Sequence, residues 1–229
     1  MARVQRKAKK QEEEQKSDNR RQLIGGGVLV LLLLLVGGLL WVGLGDTDTT
    51  TPIEEPEQAN GTFLGSAEAP VVVKDFSDFR CPHCKDAWAA LTPKIIENYV
   101  NAGQVRLEFI PVYVTGEEAL YAGQASYCAA EQEKFWPYHD RLFQRQGRDE
   151  FNIANLTSFA TDLGMQEQEF RDCILSGKYA QQMQDNNAEF QRTGGTGTPT
   201  FLVGDELVGG AVGFDEMKKI IEGQLAQSE

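Results

Sequence analysis

The amino-acid sequence predicts an α/β protein with a mixed sheet, a helical insertion and one N-terminal transmembrane helix. A strand, a helix and a second strand follow one another over residues 71–109. A hairpin and a last helix come after residue 198, and the stretch at about 112–192 is helical in character. Ahead of the domain, residues 23–44 contain no charged side chain. The order of elements indicates helices packed on a sheet.

Residues 23–44 predict a membrane anchor. At 1.5 Å per residue they give about 33 Å of helix, enough to cross a hydrocarbon core. Residues 1–22 carry eight basic and four acidic side chains, so we expect a basic cytoplasmic tail. Residues 45–60 are rich in Thr, Pro, Glu and Asp and predict a flexible linker to a domain at 61–229. A cleaved secretory signal is the alternative, but the apolar run is longer than that of a usual signal peptide and no clear small-x-small cleavage site follows Trp41.

The part of the chain after the tail is strongly acidic. Residues 23–229 hold 14 of the 22 basic and 30 of the 34 acidic residues, which gives a formal charge of −16. Such a domain repels phosphate backbones, which argues against nucleic-acid binding. The tail and anchor suit a bacterial membrane, so we expect a single-pass cell-membrane protein with its domain outside the cytoplasm.

The first half of the domain predicts a parallel pair of strands joined by a helix. The run 71–73 (VVV) is short and β-branched, as in a buried strand. Pro82 suits the first position of a helix, and Pro93 predicts a kink in it. Residues 105–109 alternate as a second strand, and the β–α–β order implies a parallel pair. Apolar side chains mark the buried face of the helix at Trp88, Leu91, Ile95 and Tyr99.

The end of the domain predicts a hairpin and a helix. Residues 199–203 and 206–208 read as two strands around a Gly204-Asp205 turn. A last amphipathic helix follows, with apolar side chains at Phe214, Met217, Ile221 and Leu225.

The motif Cys81-Pro82-His83-Cys84 is the candidate redox centre, because it follows a buried strand and opens a helix. Unpaired backbone N–H groups and the helix dipole stabilise a thiolate at the first sulfur. A protonated His83 adds to this effect. A stabilised thiolate favours the reduced pair, which makes the disulfide a strong oxidant. We expect Cys81 to exchange first and Cys84 to resolve the mixed disulfide.

Two other interpretations of the pair are weaker. A structural zinc site needs four ligands, and only Cys81, Cys84 and at most His83 cluster here. A purely structural disulfide across two residues closes a tiny loop and removes little chain entropy. We predict no metal site and no cofactor.

The segment from Asp75 to Cys84 (DFSDFRCPHC) resembles the active-site segment of DsbA-like thiol:disulfide oxidoreductases of the thioredoxin superfamily, membrane-anchored type. The resemblance covers about residues 60–227 and includes residues 197–201 (GTPTF), which look like the superfamily's cis-proline loop, and Phe135-Trp136. It implies a thioredoxin-like fold, with Thr198 and Pro199 beside the disulfide, where they help to hold substrate. Without the resemblance, Pro199 reads as a proline that opens a hairpin.

The same resemblance assigns a role to Asp75, which lies six residues before Cys81. The superfamily often has a buried acid there. A carboxyl whose pKa is raised by burial accepts a proton from Cys84. The alternative is a solvated residue at the end of a strand. Arg80 stands where thioredoxins carry Trp, and we expect its side chain to be exposed.

Cys128 and Cys173 form a second candidate pair, within the insertion. In an oxidising compartment two further cysteines predict a bridge. Closing this loop contributes about 4 kcal/mol on the chain-entropy account. Two buried free thiols are the alternative. For His139, the remaining histidine, we predict a surface position or a packing role.

The expected function is that of a dithiol oxidase that donates the Cys81–Cys84 disulfide to exported, unfolded proteins. The resemblance implies reoxidation by a quinone-linked membrane partner of the DsbB or vitamin K epoxide reductase type. A reductase or isomerase of the same fold, a tethered chaperone-like binding module and a metal carrier that uses Cys81, His83 and Cys84 stay open as alternatives.

Overall fold

A computed structural model of the chain describes Ala59 and residues 61–228. The predicted tail at 1–22, the transmembrane helix at 23–44 and nearly all of the linker at 45–60 lie outside the described residues. Within the described part, no helix has the length and apolar character needed to cross a bilayer.

Across Ala59 and residues 61–228, the strands form one mixed sheet of five. Strands two and three are parallel, with Val73 opposite Leu107, and every other neighbouring pair is antiparallel. The order across the sheet is β1-β3-β2-β4-β5. The short β1 was not predicted, because two residues are too few to show an alternating pattern. The strands are β1 (Phe63–Leu64), β2 (Val71–Ser77), β3 (Val105–Pro111), β4 (Thr200–Val203) and β5 (Glu206–Gly209).

The predicted first helix is broken in two, close to where Pro93 predicts a kink. Helix α1 (Pro82–Ala90) ends before Leu91, and α2 (Thr92–Ile95) carries Pro93 in its first turn. A proline is tolerated at a helix start, where its missing N–H is not needed. A π-helical turn (Ile96–Val100) then leads towards β3.

The helical insertion is confirmed, since all residues from 112 to 192 are described and none lies in a strand. The predicted hairpin is formed by β4 and β5, and α8 (Phe214–Ser228) follows it. The helices of the insertion are α3 (Glu117–Ala130), α4 (Phe135–Arg145), α5 (Ile153–Asp162), α6 (Glu167–Leu175) and α7 (Ala180–Arg192).

Helix α4 of the insertion is fastened to α1 through a buried polar contact. Trp88 Nε1 on α1 donates a hydrogen bond to Asp140 Oδ1 on α4, at 2.8 Å. The same oxygen lies 2.9 Å from His139 Nδ1. His139 is buried and meets the ring of Phe109 edge-on, with centroids 4.4 Å apart. Of the two predictions for His139, packing is therefore the correct one.

A disulfide links two helices of the insertion. Cys128 on α3 is bonded to Cys173 on α6, with an S–S distance of 2.04 Å and a sequence separation of 45 residues. Glu131, one turn beyond Cys128, accepts hydrogen bonds from Lys178 and Tyr179 and so holds the segment after α6 at the same place.

Candidate active site

Cys81 and Cys84 lie at the start of α1, a few residues after the end of β2. The Cys81 N–H donates to the Asp78 carbonyl at 3.0 Å, which turns the chain after β2. Cys81 is the N-cap residue of α1 and Pro82 is the first residue of the helix. Pro82 has no N–H and its φ is fixed in the helical range, so the sequence favours a helix start at this residue. Both cysteines are free thiols.

The surroundings of Cys81 lower the pKa of its thiol to about 5. The largest cause is a hydrogen bond from the Cys84 thiol, and the backbone N–H groups of His83 and Cys84 also donate to the Cys81 sulfur. Partial burial opposes the effect. A thiol with this pKa is almost entirely thiolate at neutral pH, which is the nucleophilic form.

Thr198 contacts the same sulfur across the site. Its side-chain hydroxyl donates to Cys81 and lowers the pKa. Its carbonyl oxygen lies 3.2 Å from Cys81 Sγ and accepts from the protonated thiol, so the two groups of one residue favour opposite protonation states. The Thr198–Pro199 peptide bond is cis. The structure thus brings the loop at 198–199 to the cysteine pair.

The thiol pKa of Cys84 is shifted in the opposite direction to that of Cys81. Cys84 is buried, and burial is the largest cause of a strongly raised thiol pKa. The hydrogen bond that it gives to Cys81 and the charge of Asp75 raise the pKa further. The Asp78 N–H, 3.4 Å from the Cys84 sulfur, acts in the other direction. Cys84 therefore needs a nearby base before it can act as a nucleophile.

Asp75 is the carboxyl group whose charge raises the thiol pKa of Cys84. It is 5 % exposed in the middle of β2, and burial raises the pKa of its carboxyl to about 7. The Ser77 hydroxyl, 2.5 Å away, donates to Asp75 Oδ1 and limits the rise. The solvated alternative for Asp75 is wrong. A carboxyl with this pKa is divided between its two protonation states at neutral pH, as an acid–base catalyst requires.

The His83 side chain lies at the surface of the domain. It is 74 % exposed, and its Nδ1 lies 3.8 Å from Asp86 Oδ2. What His83 contributes to the Cys81 sulfur is its backbone N–H, so that contribution does not require His83 in particular.

Sequence reasoning missed Asp78. Its buried carboxyl group joins the cysteine turn, residues 78–81, to the loop after β3. It accepts hydrogen bonds from the N–H of Arg80 at 2.7 Å, of Val114 at 2.8 Å and of Thr115 at 2.9 Å. The Thr115 hydroxyl donates to the same group. The two partners in this loop, Val114 and Thr115, lie 36 and 37 residues further along the chain, so no local pattern identifies them.

Gln146, immediately after α4, was missed for the same reason. Its amide nitrogen donates to the carbonyl oxygens of Phe79 at 2.7 Å and Cys81 at 3.0 Å. These are carbonyls of the cysteine turn itself. The helical insertion therefore holds the backbone on which Cys81 sits.

The expectation of an exposed Arg80 was wrong. Its side chain is 29 % exposed, its Nε lies 2.9 Å from Glu118 Oε2, and its guanidinium stacks over the Phe151 ring at 5.1 Å. Its Nη1 also donates to the Asp149 carbonyl. Arg80 is therefore a further attachment between residues 78–81 and the insertion, beside those made by Asp78 and Gln146.

Over Ala59 and residues 61–228, no group of three or more His, Cys, Asp or Glu side chains is arranged to hold a metal ion.

Comparisons with known proteins agree with this site. A family model described as thioredoxin matches residues 57–223. Disulfide bond formation protein D of Bacillus subtilis is 26 % identical over 75 % of this chain and 80 % of its own. The crystal structure of oxidised BdbD from Bacillus subtilis, also 26 % identical, superposes with a TM-score of 0.68 over 75 % of this chain and 96 % of that chain. A thioredoxin-like oxidoreductase from Silicibacter pomeroyi, 25 % identical, gives 0.64 over 74 % and 94 %.

The chain belongs to the thioredoxin family. Within that family, the helical insertion, the Cys81–Cys84 pair and the likeness to BdbD make it a DsbA-like thiol:disulfide oxidoreductase.

Proposed function

We propose that this enzyme works as an oxidase that introduces disulfides into exported proteins, with Cys81 as the exchanging cysteine and Cys84 as the resolving one. The contrast between the two sulfurs carries the proposal: the pKa of Cys81 is about 5 and that of Cys84 is strongly raised. Because a thiolate at Cys81 stabilises the reduced pair, the disulfide is passed on readily. The name of the Bacillus subtilis relative, a disulfide bond formation protein, supports this direction.

Oxidation of a substrate takes two exchanges. A substrate thiolate attacks the Cys81 sulfur, the bond to Cys84 breaks, and the departing Cys84 sulfur takes the proton of a protonated Asp75. The second substrate thiol gives its proton to solvent, attacks the mixed disulfide and releases Cys81 as a thiolate. The substrate has lost two electrons and the enzyme has gained two. The low pKa of Cys81 makes it the better leaving group in this second exchange.

We assign Thr198 and Pro199 to the substrate side of the site. Thr198 already touches the reacting sulfur through its hydroxyl and its carbonyl. A substrate chain attached to Cys81 has to pass beside this loop, whose backbone is fixed by the bond from Gly210 N–H to the Pro199 carbonyl at 2.8 Å.

Continued turnover needs an acceptor for the two electrons. For this role we propose a quinone-linked membrane protein of the DsbB or vitamin K epoxide reductase type, and an anchor at residues 23–44 that keeps the domain outside the cytoplasm and close to it. The uncharged stretch and the basic residues before it support this topology, and the Cys128–Cys173 disulfide suits an oxidising compartment.

Membrane fractions should retain the full-length protein at high pH, and added protease should digest the domain from outside. Extraction at high pH, or protection from protease, would contradict the topology.

The oxidase proposal is tested by mixing the oxidised full-length enzyme with a reduced, unfolded protein and counting the disulfides that form. Cys81→Ser and Cys84→Ser should each abolish disulfide formation, because neither variant can form the Cys81–Cys84 disulfide that oxidises the substrate. When the substrate is instead a protein that already contains a disulfide, the Cys81 thiolate of Cys84→Ser attacks that disulfide and should be trapped in a mixed disulfide, whereas Cys81→Ser should form none. The double variant Cys128→Ser/Cys173→Ser is the matched control and should keep its activity. If Cys81→Ser prevents aggregation as well as the parent does and the parent forms no disulfides, the protein is a binding module instead.

A further inference from the structure

Ser77 has a buried hydroxyl group on a face of β2 where a buried strand usually carries apolar side chains. It is 1 % exposed and lies on the same face of β2 as Asp75 and Val73, because alternate residues of a strand share a face. A buried hydroxyl needs a partner, and that of Ser77 donates to Asp75 Oδ1. Its backbone is already satisfied independently, with the Ser77 carbonyl accepting from Val112 N–H at 2.9 Å.

We propose that the Ser77 hydroxyl is a positioning group that favours the carboxylate form of Asp75, so that one side chain serves both halves of the catalytic cycle. The inference rests on the proposed role of Asp75. In substrate oxidation, a protonated Asp75 supplies the proton that the departing Cys84 sulfur takes. In reoxidation, an ionised Asp75 must remove that proton, so that Cys84 can attack the Cys81 mixed disulfide. Burial alone favours the protonated form, and Ser77 counteracts it.

Other charges close to Asp75 in sequence and register do not replace Ser77. Lys74 is bound to Glu189 at 2.6 Å, and Arg106 is bound to Glu108 at 2.7 Å. Lys74 and its register partner Glu108 alternate with Asp75 and Phe109, so they lie on the opposite face of the sheet. Two titratable groups lie on the Asp75 side: Cys84 on α1, whose thiol feels the carboxylate charge, and His139 on α4, which packs against Phe109, the register partner of Asp75, and is paired with Asp140.

The experiment follows the two half-reactions separately in the full-length enzyme. Oxidised glutathione serves as the acceptor: the Cys81 thiolate attacks it and releases one glutathione, Cys84 gives its proton to Asp75 and attacks Cys81, and the second glutathione leaves. Rapid acid quenching and mass spectrometry measure the decay of the glutathione–Cys81 adduct. A reduced peptide with two cysteines measures the reverse direction, the oxidation of substrate.

Ser77→Ala should slow decay of the adduct at about pH 7 by about fivefold and leave peptide oxidation equal or up to about twofold faster. Loss of one hydrogen bond to a charged acceptor shifts the balance towards the carboxyl by about tenfold, which lowers the ionised fraction from about a half to about a tenth. At about pH 9 both forms are mostly ionised and the difference should disappear. Ser77→Thr, which keeps the hydroxyl, should restore the rate.

Ser126→Ala is the matched control, because it deletes an equally buried hydroxyl that donates to the Gly123 carbonyl of α3 at 2.8 Å. It should change neither half-reaction. Equal slowing of both half-reactions by Ser77→Ala at every pH would show a merely structural role and overturn the inference. The inference is also overturned if Ser77→Ala leaves decay of the adduct unchanged while Asp75→Asn slows it. If Asp75→Asn itself leaves decay unchanged, the proposed role of Asp75 fails, and the inference fails with it.

Discussion

Replacing Asp75 by Asn should stabilise the folded protein, and more so at high pH. The pKa of Asp75 is raised by burial to about 7, whereas an aspartate in the unfolded chain titrates near 3.9. As pH rises, the unfolded state therefore loses its proton first, and the folded state loses stability between about pH 4 and pH 7. Above the folded pKa the penalty stays constant.

The size of the penalty follows from the two pKa values. A difference of about three pH units at 1.36 kcal/mol each amounts to about 4 kcal/mol at pH 8, and to about 0.5 kcal/mol at pH 4. Asn has the shape of Asp but does not ionise. The free energy of unfolding of Asp75→Asn, relative to that of the parent, should thus be about 3.5 kcal/mol larger at pH 8 than at pH 4. Any constant cost of burying the amide cancels in this comparison.

Urea unfolding of the oxidised full-length protein at both pH values measures this difference, and in that form neither Cys81 nor Cys84 titrates. Asp86→Asn on α1, whose side chain is 72 % exposed, controls for the loss of one carboxyl charge and should show no such pH dependence. An Asp75→Asn protein with the same relative stability at pH 4 and pH 8 would refute the account of a buried carboxyl with a raised pKa.

Three further predictions concern the neighbouring groups. The ultraviolet absorbance of the reduced pair should report a thiolate at Cys81 with a midpoint near pH 5, and Cys84→Ala should raise that midpoint because it removes the largest stabilising hydrogen bond. Asp78→Ala should lower the free energy of unfolding by about 3 kcal/mol, since partly buried N–H groups lose their acceptor, while Asp78→Asn, which keeps one oxygen, should lose less; equal losses would contradict this. Removing the Cys128–Cys173 bridge by double substitution with Ser should cost about 4 kcal/mol in urea unfolding, and intact-mass analysis of alkylated, non-reduced protein should find no free thiol at either residue in the parent.

The elements that the sequence predicted well are those specified by local patterns. The strand at Val71–Ser77, the helix start at Pro82 and the β4–β5 hairpin each have a periodicity or a turn signal within a few residues. The helical character of the insertion follows from the same kind of signal. The two-residue β1 has no such signal, because its pairing with β3 is decided by tertiary contact.

The parts of the site that were missed depend on residues far apart in the chain. Gln146 reaches the Cys81 carbonyl across 65 residues, and Asp78 reaches Thr115 across 37. Nothing in the sequence around Asp78 distinguishes a buried clamp from a solvated turn residue. Arg80 was expected to be exposed because its partners, Glu118 and the Phe151 ring, come from the insertion. The identity of the reacting cysteines is local information, whereas their support is supplied by the insertion.

The reduction potential of the Cys81–Cys84 pair tests the central claim most directly. Equilibration of the full-length protein with graded glutathione buffers, followed by alkylation and mass analysis, gives this potential. Because the thiolate at Cys81 stabilises the reduced pair, we expect a value at or above about −180 mV, from which the enzyme drives disulfides into its substrates. A value near about −270 mV would contradict the oxidase and make the protein a reductase that awaits an electron donor.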